Sequence, residues 1–557
     1  MEAIIFLAAL VGVSFIAFLL GLRDQRNARK LLLKKLIKDF GDAPNRKYKE
    51  DDFDHIPGYF LRHRDGFQID DTTWNDLNMD GVFARMNYCL SASGEEYLYY
   101  MLRTPRQEDD FDELESHIEF FRHDHEARRK IQLIYGTIGR RIRYSIYDYL
   151  DQLDKYDNYS NKKHYLMLVL MAASIGLCFY NFTLGFCVLI GLMAINILSY
   201  FKVKGDIEPF IATYGYIMNV YNSVDEFKKL DYKEIRDDVD QLIAAQKKLT
   251  AFNFGSYILM SPTRMNSGGN PIEAIVDYLR MALHLDIIKF NQMFKEIRDN
   301  KDAIDEIITI TGKLEAEISI ACFRESYRDH FCIPEFAGDS YVAKELIHPL
   351  IADPVANSIV ADKGVLLTGS NASGKSTFLK TCGVNALLAQ STHTALADQY
   401  KAPMYRIYSS MALTDNLFEG DSYYIVEIKS IKRILDAARE KGCKVLCFVD
   451  EVLRGTNTIE RIAASTQILK VFADSKIKCF AATHDIELTQ LLKEQYQLYH
   501  FEGNVSDNDV HFDYVMKDGP ATNRNAIKLL GALGYDKDIV DKAQHMADRF
   551  LESGSWK

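Results

Sequence analysis

Positive charge is in short supply in this chain. Its 67 Lys and Arg stand against 78 Asp and Glu, for a net charge of −11 over 557 residues. That excludes a protein coated in cations for nucleic acid, although a basic groove on an acidic body stays compatible with DNA. Zinc-type cysteine pairs are also absent. The nine cysteines are scattered, and the closest two, Cys443 and Cys447, flank or sit in an apolar strand, where buried thiols are the ordinary state. Such usage fits a reducing compartment for most of the mass. No internal repeat occurs beyond a pair of apolar runs. Apolar material is what the chain has in quantity. At 48% hydrophobic and 26% charged residues it can build real cores, with length for about three to four domains.

Charge of either sign is missing altogether between His164 and Lys202. Roughly forty apolar residues are too many for one membrane span and fit two, with Asn181-Phe182-Thr183 near the turn. A buried hairpin of a soluble protein is the alternative. A further apolar run, 3–22, has the length of a single span. A cleaved signal peptide fits it poorly, because the residues before it are Met1 and Glu2 and the run is long. Basic residues follow at once: Arg23, Arg26, Arg29, Lys30, Lys34, Lys35 and Lys38. By the positive-inside rule this is an anchor with the rest of the chain in the cytoplasm. Lys162, Lys163, Lys202 and Lys204 put both ends of the hairpin on that same side. Three spans in the cell membrane, with the bulk of the chain cytoplasmic, are the expectation.

Residues 67–160 and 205–330 read as helices with heptad-like apolar spacing, and 261–271 as a loop by its Pro, Gly and Ser content. From about Tyr341, short β-branched runs alternate with helices, the pattern of an α/β domain with a mostly parallel sheet. Within it, "GVLLTGSNASGKSTFLK" is a strand, a glycine-rich turn and a helix, the context a phosphate-binding loop requires. Gly369 and Gly374 let the backbone wrap a phosphate with amides at a helix N-terminus. Lys375 would reach the β- and γ-phosphates of ATP, and the Ser376 hydroxyl, next to Thr377, would ligate Mg2+. A second strand, Val445 to Val449, runs into Asp450 and Glu451. The first carboxylate can hold the magnesium shell and the second can orient the attacking water. A third strand ends in Thr483-His484, whose histidine either senses the γ-phosphate or is structural.

Taken together, "TGSNASGKSTFLK", "VDEVLRGTNT" and "FAATHDIELTQLL" resemble the ATPase domain of the MutS family of DNA mismatch-repair proteins. No LSGGQ-like transporter signature lies between the phosphate loop and Asp450. In its place, "LFEGDSYYIVEIKSIKRIL" is similar to the MutS segment in which a serine reaches the ATP of the opposite subunit. That resemblance gives the role to Ser422, with Glu427 in the matching acidic position, and puts Asn371 at the family's phosphate-loop asparagine. "IHPLIADPVANSIV" looks like the family's lead-in, with Val355 where relatives stack an aromatic ring on adenine. The tail from Lys517 is similar to the helical segment that helps MutS ATPase domains pair, and "SGEEYLYYMLRTPRQEDDFDELESHIEFF" resembles the start of the MutS helical core.

The resemblance implies an ABC-type α/β P-loop ATPase domain at the C-terminus, preceded by an all-α core and lever region, to which the apolar runs add three transmembrane helices. Its divisions are an anchor (1–22), a basic juxtamembrane segment (23–66), helical core (67–164), hairpin (165–203), lever and core (204–335), and an ATPase domain with dimerisation helices (336–557). It further implies a homodimer with composite ATP sites that couples hydrolysis to mismatched or branched DNA. Two departures count against mismatch reading. About forty-five residues between the first span and the core-like segment are too few for the family's mismatch-recognition domain, and Phe111-Asp112-Glu113 lies inside a core-like helix. An ATP-driven switch acting on the membrane or a protein partner is the competing expectation.

Overall fold

The computed structural model describes residues 23–553 other than 25, 141–144, 153–159, 250–280, 371–372, 412–422, 441, 455, 476, 507–508, 522–526, 528–529 and 532–533. The chain forms two compact units. Met1–Arg64, Asn87–Tyr100 and Ser116–Glu325 make the first; Asp65–Met86, Met101–Glu115 and Ser326–Lys557 make the second. The stretch 67–164 is therefore shared between the units, and 326–335 goes with the second.

The first unit is helical where described: α1 (His125–Ile138), α2 (Lys162–Tyr180), α3 (Phe182–Phe227), α4 (Arg236–Lys247), α5 (Leu285–Asp299) and α6 (Lys301–Ser326). Local chemistry sets several ends. The Asp124 carboxylate accepts the N–H groups of Glu126 (3.1 Å) and Ala127 (2.8 Å) to start α1, a side-chain cap on donors that lack helical partners. Gly139, at φ 73°, stops it. Along α6, Ile304, Ile307, Leu314 and Ile318 are buried at the spacing of an apolar helix face. Gly312 in that helix lets the helix Ala92–Arg103 come close, since a Cβ there would lie 2.8 Å from the Ser93 carbonyl oxygen.

Carboxylates are buried in the same core. Glu315 accepts the N–H groups of Leu90 (2.6 Å) and Ser91 (3.2 Å), and burial pushes its pKa up to about 7. Glu96 accepts the Tyr59 N–H (2.9 Å) and the Ser145 hydroxyl (2.9 Å), and burial pushes it up to about 8. Both pay a desolvation cost that two or three hydrogen bonds only partly offset.

The apolar run folds as two helices, α2 and the first 22 residues of α3, Phe182–Val203, joined at Asn181, whose side chain accepts the Leu184 N–H. Each is long and apolar enough to cross a membrane, and 11% of each apolar window is buried. Phe179, Tyr180 and Leu198 are among the most exposed apolar side chains described. The core helix of a soluble protein would be mostly buried, and these two windows are mostly exposed within the chain. The other apolar run, 3–22, lies outside the described residues. Beyond Val203, α3 continues without a break, burying Tyr214, Ile217, Val220, Val224 and Phe227. One helix thus runs through the expected 203/204 boundary, and its 46 residues make a rod about 69 Å long.

The second unit is built on β-strands, beginning at Tyr341 as the sequence pattern implies. They are β1 (Tyr341–Leu346), β2 (Asn357–Ala361), β3 (Gly364–Gly369), β4 (Gln399–Lys401), β5 (Arg406–Ser410), β6 (Val445–Asp450), β7 (Lys478–Ala482), β8 (Tyr496–Ser506) and β9 (Asp509–Asp518). Six of them form one sheet in the order β5-β6-β7-β3-β8-β9, parallel except for the β8–β9 hairpin. β2-β1-β4 form a small antiparallel sheet. Helices α7 (Lys375–Thr392), α8 (Tyr423–Ala438), α9 (Thr458–Asp474) and α10 (Lys537–Ser553) complete the labelled elements. Val445, Cys447, Leu469, Phe472 and Cys479 share a core cluster, so Cys447 is a buried thiol as its strand context implies.

Hydrogen bonds explain why two early segments belong here. Asp76 accepts from the Ser409 hydroxyl (2.6 Å) and the Met411 N–H (2.9 Å), and the Thr73 hydroxyl oxygen accepts the Ser409 N–H (3.1 Å). The short helix Asp71–Asp76 therefore finishes the end of β5. Arg106 is tied to Gln390 of α7 in the same way, its N–H donating to the Gln390 carbonyl (2.9 Å).

Candidate nucleotide site

Parallel strands present their C-terminal ends on one edge, and the expected residues meet there. The register pairs Leu367 of β3 with Ala482 of β7, and Ala482 with Asp450 of β6. The phosphate loop, the acidic pair and His484 are thereby brought to neighbouring strand ends. β3 stops at Gly369, whose φ of 142° and lack of Cβ are both required, because a side chain would strike the Phe501 carbonyl. Gly374, at φ 108°, turns the chain into α7.

Lys375 points back into the loop and donates to the carbonyls of Gly369 (2.9 Å) and Ser370 (2.8 Å). Burial pulls its pKa down to about 8, against the pull of Asp450 and Glu451. An ammonium tied to loop carbonyls in a glycine cradle is ready to exchange those partners for phosphate oxygens. The exposed Ser376 hydroxyl donates to Asp450 Oδ2 at 2.5 Å. A hydroxyl and a carboxylate in contact form the oxygen-only donor set that suits Mg2+, so the residues present fit that ion. Thr377 is exposed one residue further along α7.

Glu451 is held more tightly than its sequence position reveals. It adopts φ 61°, its N–H donates to the Ala482 carbonyl, and both carboxylate oxygens are engaged. His484 Nε2 donates to Oε1 (2.9 Å), and Arg454 Nε reaches Oε2 at 2.8 Å. The hydrogen bond from His484 chiefly holds the carboxyl below its usual range, with burial opposing it. Here His484 contacts the carboxylate, a role between the two expected for it. Glu427 of α8 is buried and accepts the Arg454 N–H (3.2 Å), which steadies the turn after Glu451. Arg461 of α9 makes a two-pronged pair with Asp485 (2.8 and 2.6 Å), a contact that no local motif announces. Asn371 and Ser422 lie outside the described residues.

Beside the loop opens a cleft of about 360 Å³, lined by His348, Val355, Thr377, Phe378, Phe501 and Tyr514 among others. His348 stays neutral, since burial lowers its pKa to about 4. Val355 does line the cleft, and the exposed Tyr514 of β9 also borders it. The β8–β9 hairpin carries Tyr514, and the aromatic-rich run "YQLYHFEGNV" is its sequence signal.

A strand–loop–helix cradle with paired acids on the next-but-one strand is shared by many nucleotide-binding proteins, and comparison narrows it. Residues 365–551 match the family model for MutS domain V. This part of the chain is thus similar to the ATPase domain of MutS proteins. Its MutS relatives include the DNA mismatch repair protein MutS of Thermus aquaticus, 28% identical over 260 residues, covering 45% of this chain and 32% of that protein. MutS of Thermotoga maritima is 28% identical over 278 residues (48% and 34%), and MutS of Pseudothermotoga lettingae 29% identical over 275 residues (45% and 34%). The chain spans about a third of the length of these MutS proteins.

Proposed function

We propose that this chain binds ATP with Mg2+ in the cleft beside α7 and hydrolyses it while anchored in a membrane. The observation that carries the reading is the meeting of Lys375, Ser376, Asp450 and Glu451 at adjoining strand ends beside a cleft of base size. Loop amides from Gly369 to Gly374, with Asn371, cradle the phosphates, and Lys375 neutralises them. Ser376 and Asp450 hold Mg2+, which when bound would balance charge on the transferring phosphoryl group. Glu451, kept unprotonated by His484, orients the water. Tyr514 faces the cleft that Val355 also lines and offers the aromatic platform that valine lacks. Ser422 reaches the ATP of a second copy in a homodimer paired through the ATPase domains.

Relatives named for DNA mismatch repair support a DNA partner, mismatched or branched duplex being the candidates. A second reading is favoured by α3, which joins an exposed apolar hairpin to the helical core in one rod. In it, ATP drives a switch acting on the membrane or a protein partner without DNA. The hairpin, the apolar run 3–22 and their basic flanks support a multi-pass protein of the cell membrane with its bulk in the cytoplasm.

Lys375→Ala tests the core of the reading. ATP binding by the purified full chain should fall below detection and turnover with it, measured by nucleotide fluorescence titration and phosphate release; wild-type affinity in that variant refutes the site. A survey of duplex, mismatched and branched DNA with and without Mg-ATP separates the two readings. Absence of binding at every salt concentration removes the DNA arm.

A further inference from the structure

We propose that the stretch 23–38, helical where described, is a docking surface for anionic phospholipid headgroups. This rests on the membrane reading above. The stretch carries seven cations and one acid, Asp24. None of the seven has an ion-pair partner among the described residues, although exposed cations elsewhere in the unit do, as in Lys130–Glu126 and Arg236–Asp231. A chain with a net charge of −11 has left one helix unneutralised.

Five of the seven share one side, with Arg29 and Lys35 flanking it. At 3.6 residues per turn, Arg23, Arg26, Lys30, Lys34 and Lys38 fall on one face about 120° wide. Leu32 and Leu36 fall opposite, and Leu32 packs against Gly136 of α1 so closely that a Cβ on that glycine would collide with it. The apolar face is thus docked on the protein and the cationic face is turned to solvent. Ile37 lies within the cationic face and Leu31 at its edge, 53% and 71% exposed.

Cations flanking exposed aliphatic side chains match a bilayer interface, where ammonium and guanidinium groups meet lipid phosphates while the aliphatic chains enter the acyl boundary. A nucleic-acid backbone would satisfy the charges and leave Ile37 and Leu31 in water. The apolar run 3–22 ends next to Arg23, which starts the stretch within reach of the bilayer it would enter. The occupant is therefore an acidic phospholipid, with phosphatidylglycerol as the probe.

The full chain, purified in neutral detergent, is offered an equimolar mixture of phosphatidylglycerol and phosphatidylcholine, and the lipid retained after washing is quantified. Wild type should enrich phosphatidylglycerol about tenfold or more over a variant combining R26Q, K30Q, K34Q and K38Q, and high salt should erase the difference. These side chains are exposed and unpaired, so the variant should melt like wild type. Equal retention of both lipids, or unchanged enrichment in the variant, overturns the assignment. So does a variant that loses a fluorescent duplex while keeping its lipid. Alkaline carbonate extraction of wild-type membranes reads the spans separately. A chain that washes off, yet pellets with phosphatidylglycerol vesicles in a charge-dependent way, keeps this surface and removes the spans.

Discussion

Glu451 shows how much of a residue's chemistry lies outside its motif. Its place after Asp450 suggests the proposed water-orienting role, but its φ of 61° and its bonds to His484 and Arg454 come from the fold. Glu451→Gln keeps the shape and removes the charge. ATP affinity should stay within about threefold while turnover drops about a hundredfold or more, read by equilibrium binding beside single-turnover phosphate release. Wild-type turnover would take the role from this residue. Glu96 makes a stability argument of the same size. Burial raises its pKa from the ordinary 4.5 to about 8 in the folded chain. Between those values the native state binds the extra proton, so stability is fullest below the window and is lost as pH rises through it. Glu96→Gln should raise stability at pH 9 by about 1–3 kcal/mol and flatten the decline above neutrality. Denaturant melts at pH 6 and pH 9 measure this, and an unchanged slope would mean that Glu96 titrates normally.

At the scale of elements, close approach explains what periodicity leaves out. Ala at position 312 has better helix propensity than Gly, yet its Cβ would sit 2.8 Å from the Ser93 carbonyl and 3.0 Å from Tyr97 Cβ. The backbone cannot yield as a side-chain tip can. Gly312→Ala should therefore destabilise by about 1–3 kcal/mol despite the propensity gain, and a thermal melt equal to or above wild type would contradict that packing. Elements also show which features could be read in advance. The β3–loop–α7 unit, the Asp450-Glu451 strand end and the switch to strands at Tyr341 are written in contiguous residues, where period and turn chemistry suffice. Thr73 and Asp76 are not, because their partners Ser409 and Met411 lie more than three hundred residues away. Nor is the Arg461–Asp485 pair, which joins a helix to a strand end and has no local pattern.

For the whole molecule, the hairpin is a feature that lies outside the matched ATPase domain. Sequence showed that the run was apolar and long; the structure adds that most of it is exposed. Continuity of α3 was hidden, since Lys202 and Lys204 look like a boundary and nothing in a charge pattern says whether a helix stops there. Val203→Pro would remove one helical hydrogen bond and bend the rod at that point. Under the proposed membrane reading, wild-type ATP turnover in nanodiscs should change with acyl-chain length, and the proline variant should lose that response while still binding ATP. Invariant wild-type turnover across bilayers sinks the coupling.

A rod without a joint has a mechanical consequence. From Val203 to Phe227 it extends about 36 Å beyond the apolar segment. If the hairpin spans a bilayer as proposed, thinning would tilt it, and a tilt of about 10° at one end swings the other by about 6 Å. Bilayer thickness would then be a signal delivered straight to the buried residues around Phe227, with no messenger in between.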